Sequence, residues 1–300
     1  RWLDEWVRRQ RARKPDEWYP NDEALDPEGI AAMLFATALT EGPEAAAEFV
    51  EDFTPGDFRF KFTLICARKM LDSKLADQAS ALLTKLRSGE ARTAIHLALR
   101  QRGLEASAQE VQLTLTALSE ISLPAGPFGY DDSDFACGLL TVAESGARNG
   151  LRAEALGLMG QANWSLSSHP LPDVGGRVDR AMRATALESV LSGTQPTVEE
   201  LWKRAHRGYK GEPDPVRPDF RAIHDRLLPT FILRARVMTG EQIDAPAEIE
   251  RLAPNRSVVG FDIWQERQFR GTRMLAEIEL LAFAGSLDEE RLRARERKAA

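Results

Sequence analysis

Apolar residues recur at helical spacing along almost the whole chain, and this periodicity restricts the fold more than any other feature. Intervals of three and four residues place apolar side chains on one face of a helix, whereas a half-buried strand would alternate apolar and polar residues. Hardly any window of the sequence sustains that alternation. One stripe comprises Leu64, Ala67, Leu71, Leu75, Ala79, Leu82 and Leu86, and another comprises Leu227, Phe231, Ala235 and Met238. The sequence therefore predicts an all-α fold.

Short breaks rich in Gly, Pro, Asn and Asp divide these stripes into segments of ordinary helix length. The predicted helices lie near residues 1–14, 25–40, 43–53, 57–72, 75–87, 90–102, 107–121, 132–148, 151–167, 174–192, 197–207, 219–239, 246–252, 258–268, 272–285 and 287–298. A Ser or Thr followed three residues later by Glu forms a capping box, which predicts helix starts at Thr197 and Ser286. Two longer segments, 123–132 and 209–219, are rich in Pro, Gly and Asp and predict connections between helices.

Two segments share a pattern of small residues. The first runs from Ala143 through Gly150 to Ala155, and the second carries Ala67 and Ala79 at matching offsets. This pattern resembles the second half of a tetratricopeptide repeat, in which small residues let two helices approach closely and a glycine ends the first helix. We therefore expect Ala143 and Ala155 to lie on facing helices.

The resemblance covers about residues 57–195 and is to divergent members of the helical-hairpin class. Leu75, Leu104 and Leu151 occupy equivalent positions after the helix break, yet they are separated by 29 and 47 residues. A regular tetratricopeptide array repeats every ~34 residues. The sequence thus departs from the period of that family.

The resemblance implies a right-handed array of helical hairpins, similar to an α-solenoid, with an irregular helical bundle as the alternative. We expect one all-helical body over residues 1–300, which the segments 123–132 and 209–219 could subdivide. Stacked hairpins expose a concave face that binds peptides or other proteins. This analogy gives a class of function and no particular partner.

The composition excludes several other classes of protein. With 43% hydrophobic and 29% charged residues, the chain can bury a large core. Cys66 and Cys137 both lie in apolar helical stretches, which predicts that they are small buried side chains. No C-x-x-C spacing is present to indicate a zinc or redox site. No apolar run approaches the ~20 residues that span a bilayer. We expect a cytoplasmic protein without a membrane partner.

The N-terminus is charged from the first residue and begins within a predicted helix at Arg1. It does not resemble a secretion signal. We interpret the chain as a segment of a larger polypeptide, and its Ala- and Arg-rich composition is typical of a bacterial protein.

The sequence shows no catalytic motif. The histidines His96, His169, His206 and His224 lie in unrelated settings, without H-E-x-x-H, and no serine is flanked as in G-x-S-x-G. Glycine pairs such as Gly175-Gly176 lack the lysine of a phosphate-binding loop. We expect no catalytic, metal or cofactor residues, although a dispersed active site near the segments 123–132 and 209–219 is the alternative.

One stretch combines basic and aromatic side chains that could clasp an acidic peptide or stack on nucleic acid. The candidate partner-binding residues are Trp202, Arg204, Arg207, Tyr209, Lys210, Arg217, Arg221, His224 and Arg226. Four acidic residues in the same stretch, together with a net charge of −6 for the chain, argue against a broad nucleic-acid surface. A solvated loop flank is the other interpretation.

The leading functional hypothesis is a non-enzymatic interaction, sensor or scaffold module of a larger signalling or defence-type protein, with a protein or peptide partner. A self-contained helical enzyme is the first alternative, and a nucleic-acid-binding scaffold is the second. A deep pocket lined by convergent His, Asp and Arg side chains would favour the enzyme, whereas a shallow groove would favour the binding module.

Overall fold

The computed structural model describes residues 27–52, 56–121, 132–162, 174–195, 197–200, 218–252 and 263–285. All regular secondary structure in these ranges is helical, which confirms the all-α prediction for this part of the chain. None of the described helices is long and apolar enough to cross a membrane. The helices are α1 (Pro27–Thr40), α2 (Pro43–Glu51), α3 (Gly56–Asp72), α4 (Ala76–Lys85), α5 (Gly89–Gln101), α6 (Ala108–Ser119), α7 (Asp132–Arg148), α8 (Arg152–Ala162), α9 (Val174–Ser192), α10 (Pro218–Met238), α11 (Ala245–Leu252) and α12 (Ile263–Phe283).

The helices belong to two compact units, one within Arg1–Ser122 and the other within Leu123–Ala300. In the first unit, α1 packs against α3 and α3 against α5, while α2 packs against α4. Each helix from α1 to α5 also contacts the helix that follows it. Alternate helices therefore share a layer, which is the arrangement that stacked helical hairpins require.

Buried apolar side chains form the core of the first unit, as the amphipathic pattern predicts. In the predicted stripe on α3 and α4, five residues are buried and Leu71 and Leu75 are half-buried. The buried members are Leu64, Ala67, Ala79, Leu82 and Leu86.

Three helix ends share one turn geometry. The second residue after each helix adopts the left-handed conformation, with φ of 62° at Lys74, 70° at Gly103 and 80° at Gly150. The leucine that follows each of them donates its N–H to the carbonyl five residues earlier, at 2.8 to 3.0 Å. This bond is the mark of the Schellman motif, which satisfies carbonyls at the end of a helix. The three positions aligned in the sequence thus adopt the same turn, while membership of the tetratricopeptide family stays a prediction.

The second unit is built around three helices that pack side by side, α9, α10 and α12. α7 packs against α8, α9 and α10, and α11 contacts both α10 and α12. Ala143 on α7 and Ala155 on α8 are both completely buried, and these two helices pack together. Small residues at this helix pair agree with the close approach expected from the sequence.

The predicted helix break near Gly271 is wrong, because α12 runs through this residue without interruption. A glycine inside a helix costs only about 1 kcal/mol relative to alanine. Here the burial of Leu280 and Leu281 and a 2.9 Å ion pair between Arg273 and Glu277 support the helix. Packing therefore outweighs the local preference.

The capping box at Thr197 is confirmed. The Glu200 N–H donates to Oγ1 of Thr197 at 3.2 Å, and the Thr197 N–H donates to Oε2 of Glu200 at 2.7 Å. The second predicted box, at Ser286, lies outside the described residues.

Candidate functional site

Most of the predicted partner-binding stretch lies outside the described residues. The positions concerned are Trp202, Arg204, Arg207, Tyr209, Lys210 and Arg217. Arg221 and His224 lie on α10, where the structure describes the backbone and not their side chains, and Arg226 is half-buried on the same helix. The role of this stretch in partner binding therefore stays a prediction. The segments 123–132 and 209–219 also lie outside the described residues, apart from the helix starts at Asp132 and Pro218.

A groove on the second unit is lined by side chains that the structure describes. It has a volume of about 380 Å³ and runs along α10, with α11 and Gln195, which follows α9, at its sides. Its lining consists of Gln195, Asp225, Leu228, Pro229, Ile232, Leu233, Arg236, Arg251 and Leu252. The residues contributed by α10 follow helical spacing, so they form one face of this helix.

The floor of the groove is apolar and partly open to solvent. Leu228 and Leu233 are buried, whereas Pro229, Ile232 and Leu252 keep part of their surface exposed. Pro229 lies inside α10. Because proline has no N–H to donate to the preceding turn, its presence in a helix interior is normally unfavourable.

The groove face was missed in the sequence because α10 is apolar on two faces. The recognised stripe of Leu227, Phe231, Ala235 and Met238 is fully buried, as predicted. Leu228, Pro229 and Ile232 lie beside that stripe and look like an extension of it. Pro229 is the signal that could have distinguished this face from the core stripe, because proline is unfavourable inside a helix.

Two ion pairs flank the groove. Arg236 forms a bidentate pair with Glu241, including a 2.7 Å bond from Nε, and Arg251 donates to Oε2 of Glu248 from Nε at 2.9 Å and from Nη2 at 2.7 Å. The hydrogen bond from Arg236 holds the pKa of Glu241 below its usual range, and the same bond raises the pKa of Arg236. All four side chains are about one third exposed or more, so each pair contributes only about 0–1 kcal/mol to stability.

An apolar cluster that joins α10, α11 and α12 supports one side of the groove. The buried members of this cluster are Leu233, Val237, Ala245, Ile249, Leu280 and Leu281, with Leu252 packed against them. In addition, Nη2 of Arg273 donates to the carbonyl of Leu252 at 3.3 Å. The end of α11 is therefore fixed to α12.

A buried charge network fixes α10 to three other helices. Glu144 on α7 accepts two hydrogen bonds from Arg183 on α9, at 3.0 and 2.9 Å, and two from Arg234 on α10, at 2.9 and 3.1 Å. Nε of Arg234 also donates to Glu279 on α12. Burial alone would raise the pKa of Glu144, but the charges and hydrogen bonds of the two arginines hold this pKa well below its usual range. The two arginines therefore favour the ionised form of this carboxylate.

Phe283 adds an aromatic contact to this network. The guanidinium carbon of Arg234 lies 5.3 Å from the centre of its ring, and that of Arg148 lies 5.1 Å away. Such distances allow cation–π attraction. All four hydrogen bonds to Glu144 come from protein side chains, which is typical of a structural cluster rather than a reactive one.

The first unit contains a second buried polar cluster, around Arg92. Nη1 of Arg92 donates to the carbonyls of Leu83 and Leu86 at 2.9 and 2.8 Å. Its Nε donates to Oγ1 of Thr114 at 3.0 Å, and its Nη2 pairs with the carboxylate of Glu110. The guanidinium therefore joins the end of α4 to α6, and its hydrogen bonds are used inside the protein.

His96 belongs to the same cluster and is the one histidine whose side chain the structure describes. Its Nε2 lies 2.9 Å from Oγ1 of Thr114, and the residue is 3% exposed. Burial, followed by the charge of Arg92, lowers the pKa of His96 to about 4. A neutral imidazole sealed in the core cannot reach a substrate, so this histidine is structural.

The two cysteines differ in their environments. Cys66 is completely buried, as predicted, and burial raises the pKa of its thiol to about 12. Cys137 is only half-buried, which corrects the prediction, and its Sγ accepts a contact from Nη1 of Arg180 at 3.8 Å. Burial is still the dominant influence and raises the pKa of Cys137. Neither thiol is activated as a nucleophile.

The lining of the groove combines apolar side chains with a few charged ones. The described residues that line it include no histidine, and both of its arginines are already paired with glutamates. Among the described residues, no cluster of three or more His, Cys, Asp or Glu side chains could hold a metal ion. Comparison of the chain with protein-family profiles and with curated proteins finds no match.

Proposed function

We propose that this chain is a protein-interaction module that binds a segment of a partner protein in the groove along α10. The observation that carries this proposal is the partly exposed apolar floor of Pro229, Ile232 and Leu252, bordered by charged side chains. Apolar surface with a polar border is typical of sites that bind the apolar face of a peptide.

The size of the groove supports a peptide segment as the ligand. A volume of about 380 Å³ is at the lower end of the range for ligand-binding clefts. It can accept a few apolar side chains of a partner, with the remainder of the segment lying across the surface. The partner would gain affinity mainly by removing these apolar side chains from water.

The helices that form the groove are held in place before binding. The Glu144–Arg234 ion pair and the bond from Arg273 to the Leu252 carbonyl fix α10 and α11 independently of any ligand. Little ordering entropy then remains to be lost when a partner binds. The module would supply partner recognition to a larger signalling or defence-type protein, a role that rests on fold-level analogy.

The experiment compares wild-type protein with two variants as bait for affinity capture from a lysate of the cells that express it. Ile232→Glu places a charge on the groove floor. Leu275→Glu is the matched control, because Leu275 lies on α12 of the same unit, outside the groove, and is 59% exposed. We expect proteins that the wild type and Leu275→Glu retain to be lost with Ile232→Glu.

Circular dichroism must show the same helix content for both variants, so that the loss reports on the groove. Identical capture by Ile232→Glu and the wild type would contradict the proposal. Retention that disappears after nuclease treatment would instead favour the nucleic-acid scaffold.

A further inference from the structure

The groove has a charge polarity along its length. Asp225 and Arg236 lie at opposite ends of the α10 face, about 16 Å apart at the helical rise of 1.5 Å per residue. Arg251 of α11 also contributes to the lining. Glu248, the partner of Arg251, also raises the pKa of Arg236 through the attraction of its charge, so the two ion pairs lie close together. One end of the groove is therefore marked by two guanidinium groups.

The two arginines and their glutamates are placed differently with respect to the groove. Both arginines line it, whereas Glu241 and Glu248 are not among the described residues that do. The glutamates therefore bind the guanidiniums from outside and orient them. They act as positioning residues for the arginines.

Each guanidinium keeps donors that these glutamates do not use. Arg236 and Arg251 bind their glutamates through Nε and Nη2 alone. A guanidinium has five N–H donors in a fixed fork, so the Nη1 donors stay available. In the part of the chain that the structure describes, neither Nη1 has a hydrogen-bond partner. A carboxylate can therefore bind there without breaking either ion pair.

We propose that the groove selects a peptide segment in which apolar residues lie next to an acidic side chain, with the apolar residues on Pro229 and Ile232 and the carboxylate at Arg236 and Arg251. This inference rests on the proposed function and specifies the chemistry of its ligand. A charge-assisted hydrogen bond to a guanidinium is stronger and more directional than a neutral one. The acidic side chain would thus set the orientation of the peptide, while the apolar floor supplies the contact area.

The probe is a library of randomised peptides displayed on phage and selected on the immobilised full chain. Three proteins are compared: the wild type, Ile232→Glu, and a swap variant that combines Arg236→Glu, Glu241→Arg, Glu248→Arg and Arg251→Glu. The swap variant preserves both ion pairs and reverses the charge that faces the groove. We expect wild-type selection to enrich apolar residues next to Asp or Glu, and selection on the swap variant to enrich apolar residues next to Lys or Arg.

A synthetic peptide from the wild-type selection then provides the quantitative measurement. Replacing its acidic residue by the matching amide should weaken binding about tenfold, because the charged hydrogen bond is lost. Enrichment of apolar residues without acidic ones, or an unchanged preference in the swap variant, would overturn the inference and leave the proposed function standing. The same selected sequences on wild type and Ile232→Glu would overturn both.

Discussion

Arg234 donates two hydrogen bonds to the carboxylate of Glu144, from a position 90 residues further along the chain. Both side chains are almost completely buried, and Arg234 is among the largest fully buried side chains that the structure describes. A buried ion pair stabilises a fold only weakly compared with apolar packing, but removing one partner leaves a charge without compensation. Removing one partner of this pair therefore tests how much the fold depends on it.

Arg234→Met should lower the free energy of unfolding by about 3–5 kcal/mol, because Glu144 and Glu279 both lose a partner. Arg236→Met is the matched control: it removes an arginine two residues away on the same helix, from an exposed pair with Glu241. This control should cost no more than about 1 kcal/mol. Urea denaturation followed by circular dichroism measures both. Equal losses in the two variants would mean that the Glu144 network does not hold the helices together.

His96 should make stability depend on pH. Its pKa is about 4 in the folded protein against 6.5 for a free histidine, so the unfolded chain binds more protons between these values. Stability must then fall as the pH drops below about 6.5, by about 2 kcal/mol at pH 5. Below about pH 4 this contribution stops changing, since both states are protonated.

The measurement is urea denaturation at pH 7 and pH 5 for the wild type and His96→Gln. The glutamine variant should be less stable than the wild type at pH 7, because it loses the packing of the buried imidazole ring. That difference should shrink at pH 5, because glutamine does not titrate. A difference that stays constant between pH 7 and pH 5 would show that the pKa of His96 is the same in the folded and unfolded chain, and would contradict the prediction.

The local sequence pattern predicted the helices well, but it did not predict the buried ion pairs of the second unit. The stripe from Leu227 to Met238 identified a core face because burial of one helix face requires a helical period. Nothing in the sequence connects Glu144 with Arg183 or Arg234, since charged residues are common and their pairing depends on tertiary packing. The break predicted at Gly271 failed for the same reason: packing of α12 decided the outcome, and a local preference did not.

Lys74 should be less favourable than glycine at its position. It has a φ of 62°, in a turn where Gly103 and Gly150 occupy the equivalent positions. The left-handed region costs a residue with a Cβ about 1–2 kcal/mol, part of which glycine loses again through its greater freedom in the unfolded chain. Lys74→Gly should therefore stabilise the protein by about 0.5–1 kcal/mol, visible as a higher melting temperature.

The reciprocal variant is Gly103→Ala. No atom lies within 4 Å of the Cβ that it would add, so any loss of stability comes from the backbone alone. We expect a loss of about 1 kcal/mol. If Lys74→Gly lowered the melting temperature, or Gly103→Ala left it unchanged, the shared turn geometry would be contradicted.

Gly89 on α5 lies in close contact with the backbone of α6. A Cβ added there would lie 3.1 Å from the backbone N of Leu118 and 3.2 Å from the carbonyl carbon of Ala117. Because these are backbone atoms, α5 and α6 would have to separate by a few tenths of an ångström. Gly89→Ala should therefore cost about 1–3 kcal/mol, in the range of overpacked core substitutions.

Gly157 on α8 provides the opposite case for the same substitution. It lies inside a helix, and no atom is within 4 Å of the position that a Cβ would take. Gly157→Ala should raise stability by about 0.5–1 kcal/mol, because alanine loses less conformational freedom on folding. Thermal unfolding of the two variants should thus shift in opposite directions. Stabilisation by both substitutions would mean that α5 and α6 are further apart at Gly89 than the structure places them.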